Sequence, residues 1–277
     1  MIHGASRQSL AVLREYLAAL LSARAASPAE EDRRLADELD AVSRLLAAQP
    51  RLRRILADPA TDNSLRGDLL RRLLANKIGP QTLDLVADAA RQRWSTPWDL
   101  ADAIQSLSDD VLLATAEQQG RLDAVEDELF RFERILADND ALSAALDDRA
   151  APADRRVGLL RAVLGDKVEP ITSELLVHAM NSGRKHLALA IDDLLEASAV
   201  RRSRSVARVV SASELTPEQN QRLSTALTRL YGRDITVRTA VEPDVRGGLE
   251  VRVGNEVIDA TVATRLAAAR AAVAGRT

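Results

Sequence analysis

Two histidines, one glycine pair and a dense set of carboxylates and arginines are the residues of this chain from which chemistry would be built. His178 and His186 stand eight positions apart, a little over two helical turns. A zinc site on one helix needs imidazoles at i and i+4, as in H-E-x-x-H, and that pattern is absent. The two rings therefore do not share a metal, and His3 stands alone near the start. Gly247-Gly248 is the one glycine pair. A phosphate cradle needs a helix N-terminus directly after such glycines, and neither that nor G-x-x-x-x-G-K-[ST] is present. A bulge or a close backbone approach is the better reading. A nucleotide-using enzyme would need that hairpin, so none is expected. There is no cysteine, which removes disulfides, thiolate ligands and thiol nucleophiles and fits a reducing compartment. No G-x-S-x-G occurs either. The carboxylates sit among arginines, as in Glu30-Glu31-Asp32-Arg33-Arg34, and read as solvated helix faces. Met180 and Phe132 read as core. No catalytic constellation, cofactor or metal site is expected.

The elements that carry these residues are helices. The 277 residues are 46% hydrophobic, but only 2% aromatic, so the apolar mass is Ala, Leu and Val. Such a composition favours closely packed helices and lacks the stacking surface of single-strand nucleic-acid binders. The net charge of −3 gives no pull toward nucleic acid. Leu10, Leu13, Leu17, Leu20 and Leu21 predict a first helix from Ser6 to about Ala25. Ser27-Pro28 opens a second, with Glu30, Glu31 and Asp32 in its first turn and Leu35, Leu39, Val42, Leu45 and Leu46 following. Pro50 and Pro59 cut short pieces, and Gly79-Pro80 separates a helix with Leu69, Leu70, Leu73 and Leu74 from one with Leu83, Val86 and Ala90. Ile104, Leu107, Val111, Ala114, Leu122, Val125, Leu129, Phe132 and Leu136 step by three and four, as one long helix or two meeting at Gly120. No apolar run approaches the ~20 residues of a membrane span. Arg14 and Glu15 interrupt the first apolar stretch, unlike a signal peptide, so a cytoplasmic chain is expected.

A duplication organises these helices. At a constant shift of 90, Glu38-Leu39 meets Glu128-Leu129, Leu56 meets Leu146, Asp58 meets Asp148 and Arg66 meets Arg156. Leu69-Leu70-Arg71 meets Leu159-Leu160-Arg161, and Leu74 meets Leu164. Lys77, Ile78 and Pro80 meet Lys167, Val168 and Pro170. Two helical modules follow, 1–105 and 106–200. A third domain, 201–277, opens with Arg201-Arg202-Ser203-Arg204, a linker or a solvated helix end rather than a nucleic-acid patch. It reads β-α-β-β-α. A strand covers Val206 to Val210, and Thr216-Pro217-Glu218-Gln219 is a capping box ahead of Leu223, Leu227 and Leu230. Ile235, Val237, Thr239 and Val241 alternate up to Pro243, and Leu249, Val251 and Val253 alternate again. Gly254-Asn255 then suits a two-residue hairpin turn, Val257 and Ile258 resume the strand, and Asp259 caps a helix starting near Thr261. The fold class is mainly α: a duplicated helical bundle followed by a small α+β domain.

The run P-x-x-x-G-G-L-x-V-x-V-G-x-x-V-I-D-x-[ST]-V, carried by Pro243, Gly247, Gly248, Leu249, Val251, Val253, Gly254, Val257, Ile258, Asp259, Thr261 and Val262, resembles the C-terminal signature of the delta subunit of the bacterial F-type ATP synthase, whose family includes the mitochondrial oligomycin-sensitivity-conferring protein. The family often has Gly-Ser after the aspartate where this chain has Ala260-Thr261. Leu112 to Leu142 is similar to the first two helices of the family's N-terminal bundle, and Gln118-Gln119-Gly120 resembles its interhelix turn, which implies two helices there. Leu175 to Glu196 is similar to its last two helices, around the turn Asn181-Ser182-Gly183-Arg184. The first copy has Arg93-Trp94-Ser95-Thr96 at that turn, so the second is the more family-like. The chain resembles an enlarged form with a doubled N-terminal module, a feature of actinobacterial-type enzymes.

The resemblance implies a non-catalytic stator that takes up N-terminal helices of the alpha subunits and grips the membrane-anchored b subunit, peripheral on the cytoplasmic face of the plasma membrane. It implies an alpha-binding groove between the bundle's first and fifth helices: Leu112, Leu113 and Ala116 with Val177, Met180 and Asn181, closed by Gly183 and Arg184. Tyr16 and Ala19 hold the equivalent positions in the first copy. The last helix, with Val262, Leu266 and Val273, is the candidate surface for b. The alternative is a helical scaffold or regulatory adapter unrelated to the synthase, which has no reason to carry the C-terminal signature.

Overall fold

The computed structural model describes residues 4–24, 29–182, 184–204, 206–212, 214–231, 235–241, 248–253 and 256–259. They divide into two compact units, 1–196 and 197–277. The first unit is helical throughout. Its elements are α1 (Ala5–Ala23), α2 (Ala29–Ala48), α3 (Pro50–Ala57), α4 (Asn63–Leu74), α5 (Pro80–Arg91), α6 (Pro97–Gln118), α7 (Leu122–Ala137), α8 (Asp140–Asp147), α9 (Ala153–Leu164), α10 (Pro170–Ser182) and α11 (Leu187–Arg204), the last running past the division. Local chemistry sets the ends. Pro50, Pro80 and Pro97 open α3, α5 and α6 at the first helical positions, where no N–H is missed. Thr96 and Asp99 make a reciprocal capping box on α6, and Asp62 caps α4 by accepting from the Ser64 N–H at 2.7 Å. Gly120, at φ +66°, breaks α6 from α7, so the long periodic stretch is two helices.

The duplication is written into both the helices and their polar contacts. At the shift of 90, α3 and α4 land on α8 and α9 residue for residue, and α5 and α6 start where α10 and α11 start. The Glu38 carboxylate accepts from the Gly79 N–H at 2.9 Å and from the Thr82 hydroxyl. Ninety residues on, Glu128 accepts from the Glu169 N–H at 2.9 Å and from the Thr172 hydroxyl. The Arg66 guanidinium donates to the Leu56 carbonyl at 3.1 Å, and that of Arg156 to the Leu146 carbonyl at 3.3 Å. Each glutamate satisfies a free N–H at the start of the copy's fifth helix, where the helix dipole favours negative charge.

One helix serves both copies. α6 is the sixth helix of the first, matching α11, and the first helix of the second, leading into α7. Ala101, Ile104 and Ser108 are buried, as are their counterparts Ile191, Leu194 and Ser198 on α11. Leu112, Leu113 and Ala116 are buried too, so α6 is covered nearly all round toward its C-terminal end. A division at 105/106 falls inside this continuous helix. Leu70 and Leu74 of α4 are core, whereas Leu69 and Leu73 face outward.

The second unit holds β1 (Val206–Ser211), α12 (Pro217–Tyr231), β2 (Thr236–Val241), β3 (Leu249–Val253) and β4 (Glu256–Asp259). The sheet order is β2-β1-β3-β4. β1 pairs β2 in parallel, and β3 runs antiparallel to both β1 and β4. Ala207, Val209, Val251 and Val253 form the inner face and pack with Leu227 and Ile235. Thr216 and Gln219 form the expected capping box, N–H to side chain at 2.9 and 3.2 Å. Val253 pairs with Glu256, leaving two residues between the arms of the hairpin. Each arm is a strand of its own, so the described order is β-α-β-β-β, and the expected last helix lies outside the described residues. Arg201 and Arg202 belong to the last turn of α11 rather than to a separate linker.

Candidate functional site

The site expected from the sequence lies where α6 meets α10. Leu112, Leu113 and Ala116 are fully buried, Met180 is buried at 4% exposure, and Val177 and Asn181 are half-buried. These residues come together, but as the filling of the second copy's bundle. Leu112, Leu113, Ala116 and Met180 present almost no surface in this packing, while Val177 and Asn181 keep part of theirs. Gly183 lies outside the described residues. Arg184 is exposed and already engaged: it donates to both Asp102 oxygens at 3.1 and 2.8 Å, and its guanidinium lies 4.1 Å from the centre of the Trp98 ring. Arg53 stacks on the same ring at 3.4 Å and donates to the Leu46 and Ala47 carbonyls at the end of α2.

What covers the α6–α10 junction is α2, from the first copy. Ser43 donates to the Ala101 carbonyl at 3.0 Å, and Ser108 donates to the Ala36 carbonyl at 2.8 Å. Small side chains at 36 and 43, seven apart on one face, let the two backbones approach. His178, on α10, closes the third side. Its Nδ1 lies 3.3 Å from Ser108 Oγ and its Nε2 lies 3.2 Å from Asp37 Oδ1. Arg33 and Glu174 meet at 3.6 Å at the rim.

This seam is strongly acidic. Burial pushes the Asp109 carboxyl up to about 7, against the hydrogen bond from Gln105. Burial also raises Asp40 and Glu174. Burial lowers His178, but its hydrogen bond to Asp37 and the charges of Asp40, Asp109 and Asp37 outweigh that, so its basicity is raised. The cluster joins three helices. Among the described residues no group of three or more His, Asp or Glu is arranged to hold a metal. His186 is used locally, with Nδ1 2.9 Å from the Asp147 carboxylate that also caps the Leu187 N–H at the start of α11.

The sequence reading placed these carboxylates on solvated faces, and here it is corrected. Asp32 and Asp40 are 3% and 2% exposed. One signal was available: Asp32 falls three and seven positions before Leu35 and Leu39, on their stripe.

Tyr16 and Ala19 stand differently. Both are exposed on α1, Tyr16 at 40%, beside Val12 at 47%. Ala5, Gln8, Val12, Tyr16, Ala19 and Ala23 form one uncharged, exposed stripe along the helix. The helix beneath is pinned. Ser9 donates to the Arg93 carbonyl at 2.7 Å, Ser6 to Asp99 at 2.6 Å, and Arg14 to Asp110 and Ser106 at 2.7 and 2.8 Å.

Of the C-terminal signature, Leu249 is half-buried at the start of β3, Asp259 ends β4, and Gly248 takes φ +88°, which suits glycine. Pro243, Gly247, Gly254 and Thr261 lie outside the described residues, as do Val262, Leu266 and Val273. An open cavity of about 570 Å³ between α12 and the sheet is lined by Leu215, Leu223 and Leu249, with Arg222 its one ionisable side chain among the described residues.

The family model described as ATP synthase delta (OSCP) subunit matches residues 110–273. ATP synthase subunit delta of Streptomyces griseus is 42% identical over 275 residues, covering 99% of this chain and 100% of that protein. The subunit of the same name from Streptomyces coelicolor is 42% identical over 266 residues, 96% of each chain. That from Frankia alni is 41% identical over 276 residues, 98% of this chain and 99% of its own. The chain belongs to the ATP synthase delta (OSCP) subunit family. As a delta subunit it is a non-catalytic part of the peripheral stalk, the stator of the synthase. The match to the delta family model begins at residue 110, inside α6, and takes in the rest of the second copy and the C-terminal domain. The first copy is the addition, and the actinobacterial delta subunits align with this chain across it.

Proposed function

We propose that this stator subunit holds the catalytic head through its first helical copy, by taking an N-terminal helix of an alpha subunit on α1, and grips the b subunit through its C-terminal domain. Rotor torque turns the head unless a rigid arm resists it, and resistance needs a firm hold at each end. The observation that carries the head contact is the uncharged exposed stripe of Val12, Tyr16, Ala19 and Ala23 on a helix otherwise pinned by hydrogen bonds. An amphipathic helix laid on such a stripe buries apolar surface on both sides. The proposal places the alpha site at Tyr16 and Ala19 rather than at Leu112, Leu113 and Ala116, because the first two are exposed and the latter three are fully buried. No helix among the described residues is long and apolar enough to cross a membrane. The chain then sits peripherally at the cytoplasmic face of the plasma membrane, attached through b.

The test is binding of a labelled peptide of the alpha N-terminal helix, read by fluorescence anisotropy. Tyr16→Asp should weaken it by tenfold or more, about 1.4 kcal/mol, since a central aromatic anchor contributes at least that much, and Val12→Asp should weaken it by setting an unpaired charge on the apolar stripe. Both side chains are exposed, so circular dichroism should stay unchanged. Unaltered affinity would overturn the placement. Recovery of alpha, beta and b together from membranes with this chain as bait tests the rest.

A further inference from the structure

The two copies present their first helices differently. The connection ahead of the second helix is five residues, 24–28, in the first copy and three, 119–121, in the second. The shift of 90 that relates α2 to α7 thus becomes 92 between α1 and α6. Under it the exposed stripe Val12, Tyr16, Ala19 and Ala23 corresponds to Ile104, Ser108, Val111 and Thr115. Those four are at most 1% exposed. The core positions Leu10, Leu17 and Leu21 correspond to Asp102, Asp109 and Leu113, on the flank of α6 that meets Arg184 and lies near His178. One surface is therefore open in the first copy and closed in the second, and α2 closes it. α2 packs on α6 more extensively than any other two described helices pack on each other, and it reaches α10 as well.

From this we infer that the second copy's helix-accepting groove is occupied in cis by α2, so that the doubled bundle takes one partner helix per chain, at α1, and not two. The inference rests on the helix-acceptor reading above. α2 is a fitting occupant. It offers Ala36 and Ser43 for close approach, Asp37 and Asp40 toward His178, and Arg33 toward Glu174. Leaving the groove would uncover Ile104, Val111 and Leu112, all fully buried, and would strip Asp37 and the Ala36 carbonyl from His178 and Ser108. The second α subunit helix that a doubled module invites has no vacant seat.

The full chain has no cysteine, so thiol bridging is clean. Arg33→Cys with Glu174→Cys places two partly exposed thiols on α2 and α10, to be joined by a short bismaleimide. The bridge should form nearly to completion. Native mass spectrometry with the alpha N-terminal peptide should show one peptide per chain, with affinity changed less than about twofold by the bridge. Tyr16→Asp alone should weaken binding by tenfold or more. Two peptides per chain, a bridge that weakens binding tenfold, or wild-type affinity retained in Tyr16→Asp would each overturn the inference. A wild-type chain that binds no peptide sinks the helix-acceptor reading instead. Occupancy by α2 then stands on the bridging yield, and failure to bridge overturns it.

Discussion

Glu38 is the sharpest place to test the duplicated architecture. Its carboxylate, 14% exposed, joins α2 to the start of α5 through the Gly79 N–H at 2.9 Å and the Thr82 hydroxyl, with Arg34 one turn back at 2.9 Å. Each hydrogen bond to a charged group contributes roughly 1.5–3 kcal/mol, while the exposed Arg34 pair adds only about 0.3–0.5 kcal/mol. Glu38→Ala removes both buried bonds and leaves a helix N-terminus uncapped. A loss of about 3 kcal/mol is expected in urea unfolding followed by circular dichroism at pH 7. Glu128→Ala should cost a similar amount, because Glu169 N–H and Thr172 stand where Gly79 N–H and Thr82 do. The two carboxylates share no partner, so the double variant should be near additive. The effect should also fade with acid. Burial raises the Glu38 carboxyl, but the hydrogen bonds from Thr82, Arg34 and Gly79 outweigh it and hold the group below its ordinary 4.5. A group depressed in the fold stabilises above its unfolded value, and that stability is lost as pH falls through the folded one. The difference between wild type and Glu38→Ala should therefore shrink below pH 4.5. A cost under about 0.5 kcal/mol at pH 7, or one that persists unchanged at pH 3, would refute the reasoning.

Asp109 should behave in the opposite sense. With its carboxyl pushed from 3.8 to about 7, its contribution is present in acid and is lost as pH rises through about 7. At 1.36 kcal/mol per pH unit, that gap sets a ceiling of about 4 kcal/mol on what Asp109→Asn gains at pH 8, with no gain at pH 3, as read by thermal melts across that range. His178, raised above 6.5, pushes the same way, so the wild type should melt lower at pH 8 than at pH 6. Met180→Asp should not act as a selective binding variant. At 4% exposure it buries an unpaired carboxylate, and a loss of 3 kcal/mol or more should appear in urea unfolding before any binding is measured.

The helices and their doubling were legible because they are set by local chemistry and by spacing. Pro80 and Pro170 open equivalent helices, Glu38 and Glu128 cap them, and Arg66 and Arg156 tie down equivalent turns. Gly120 and the Thr216–Gln219 box carry their own geometry. What the sequence did not yield is which face of a helix meets which neighbour once two copies share one element. A period of 3.6 marks an apolar stripe, and α6 has more than one. Leu112, Leu113 and Ala116 carried the family's pattern for a groove, but a fully buried position on a shared helix is core whatever its pattern. The role of His178 was hidden because its partners, Ser108 and Asp37, come from helices seventy or more residues away.

The shared helix also explains why the extra module is not an ornament. α6 follows the first copy at a shift of 90 as its last helix and at a shift of 92 as the second copy's first. Two residues amount to about 200° of helical rotation, so the two registers turn nearly opposite faces of one helix to the two bundles. Ser108 donates to the Ala36 carbonyl of the first copy, and Asp102 turns toward Arg184 of the second. Residues that would be exposed on the first helix of a single-module delta chain are fully buried here. Deleting the first copy would uncover fully buried aliphatic side chains of α6 and leave the Ser108 hydroxyl without the Ala36 carbonyl. A stalk connector built this way carries load through one continuous element rather than through a linker between two domains, which is the stiffer arrangement for resisting torque.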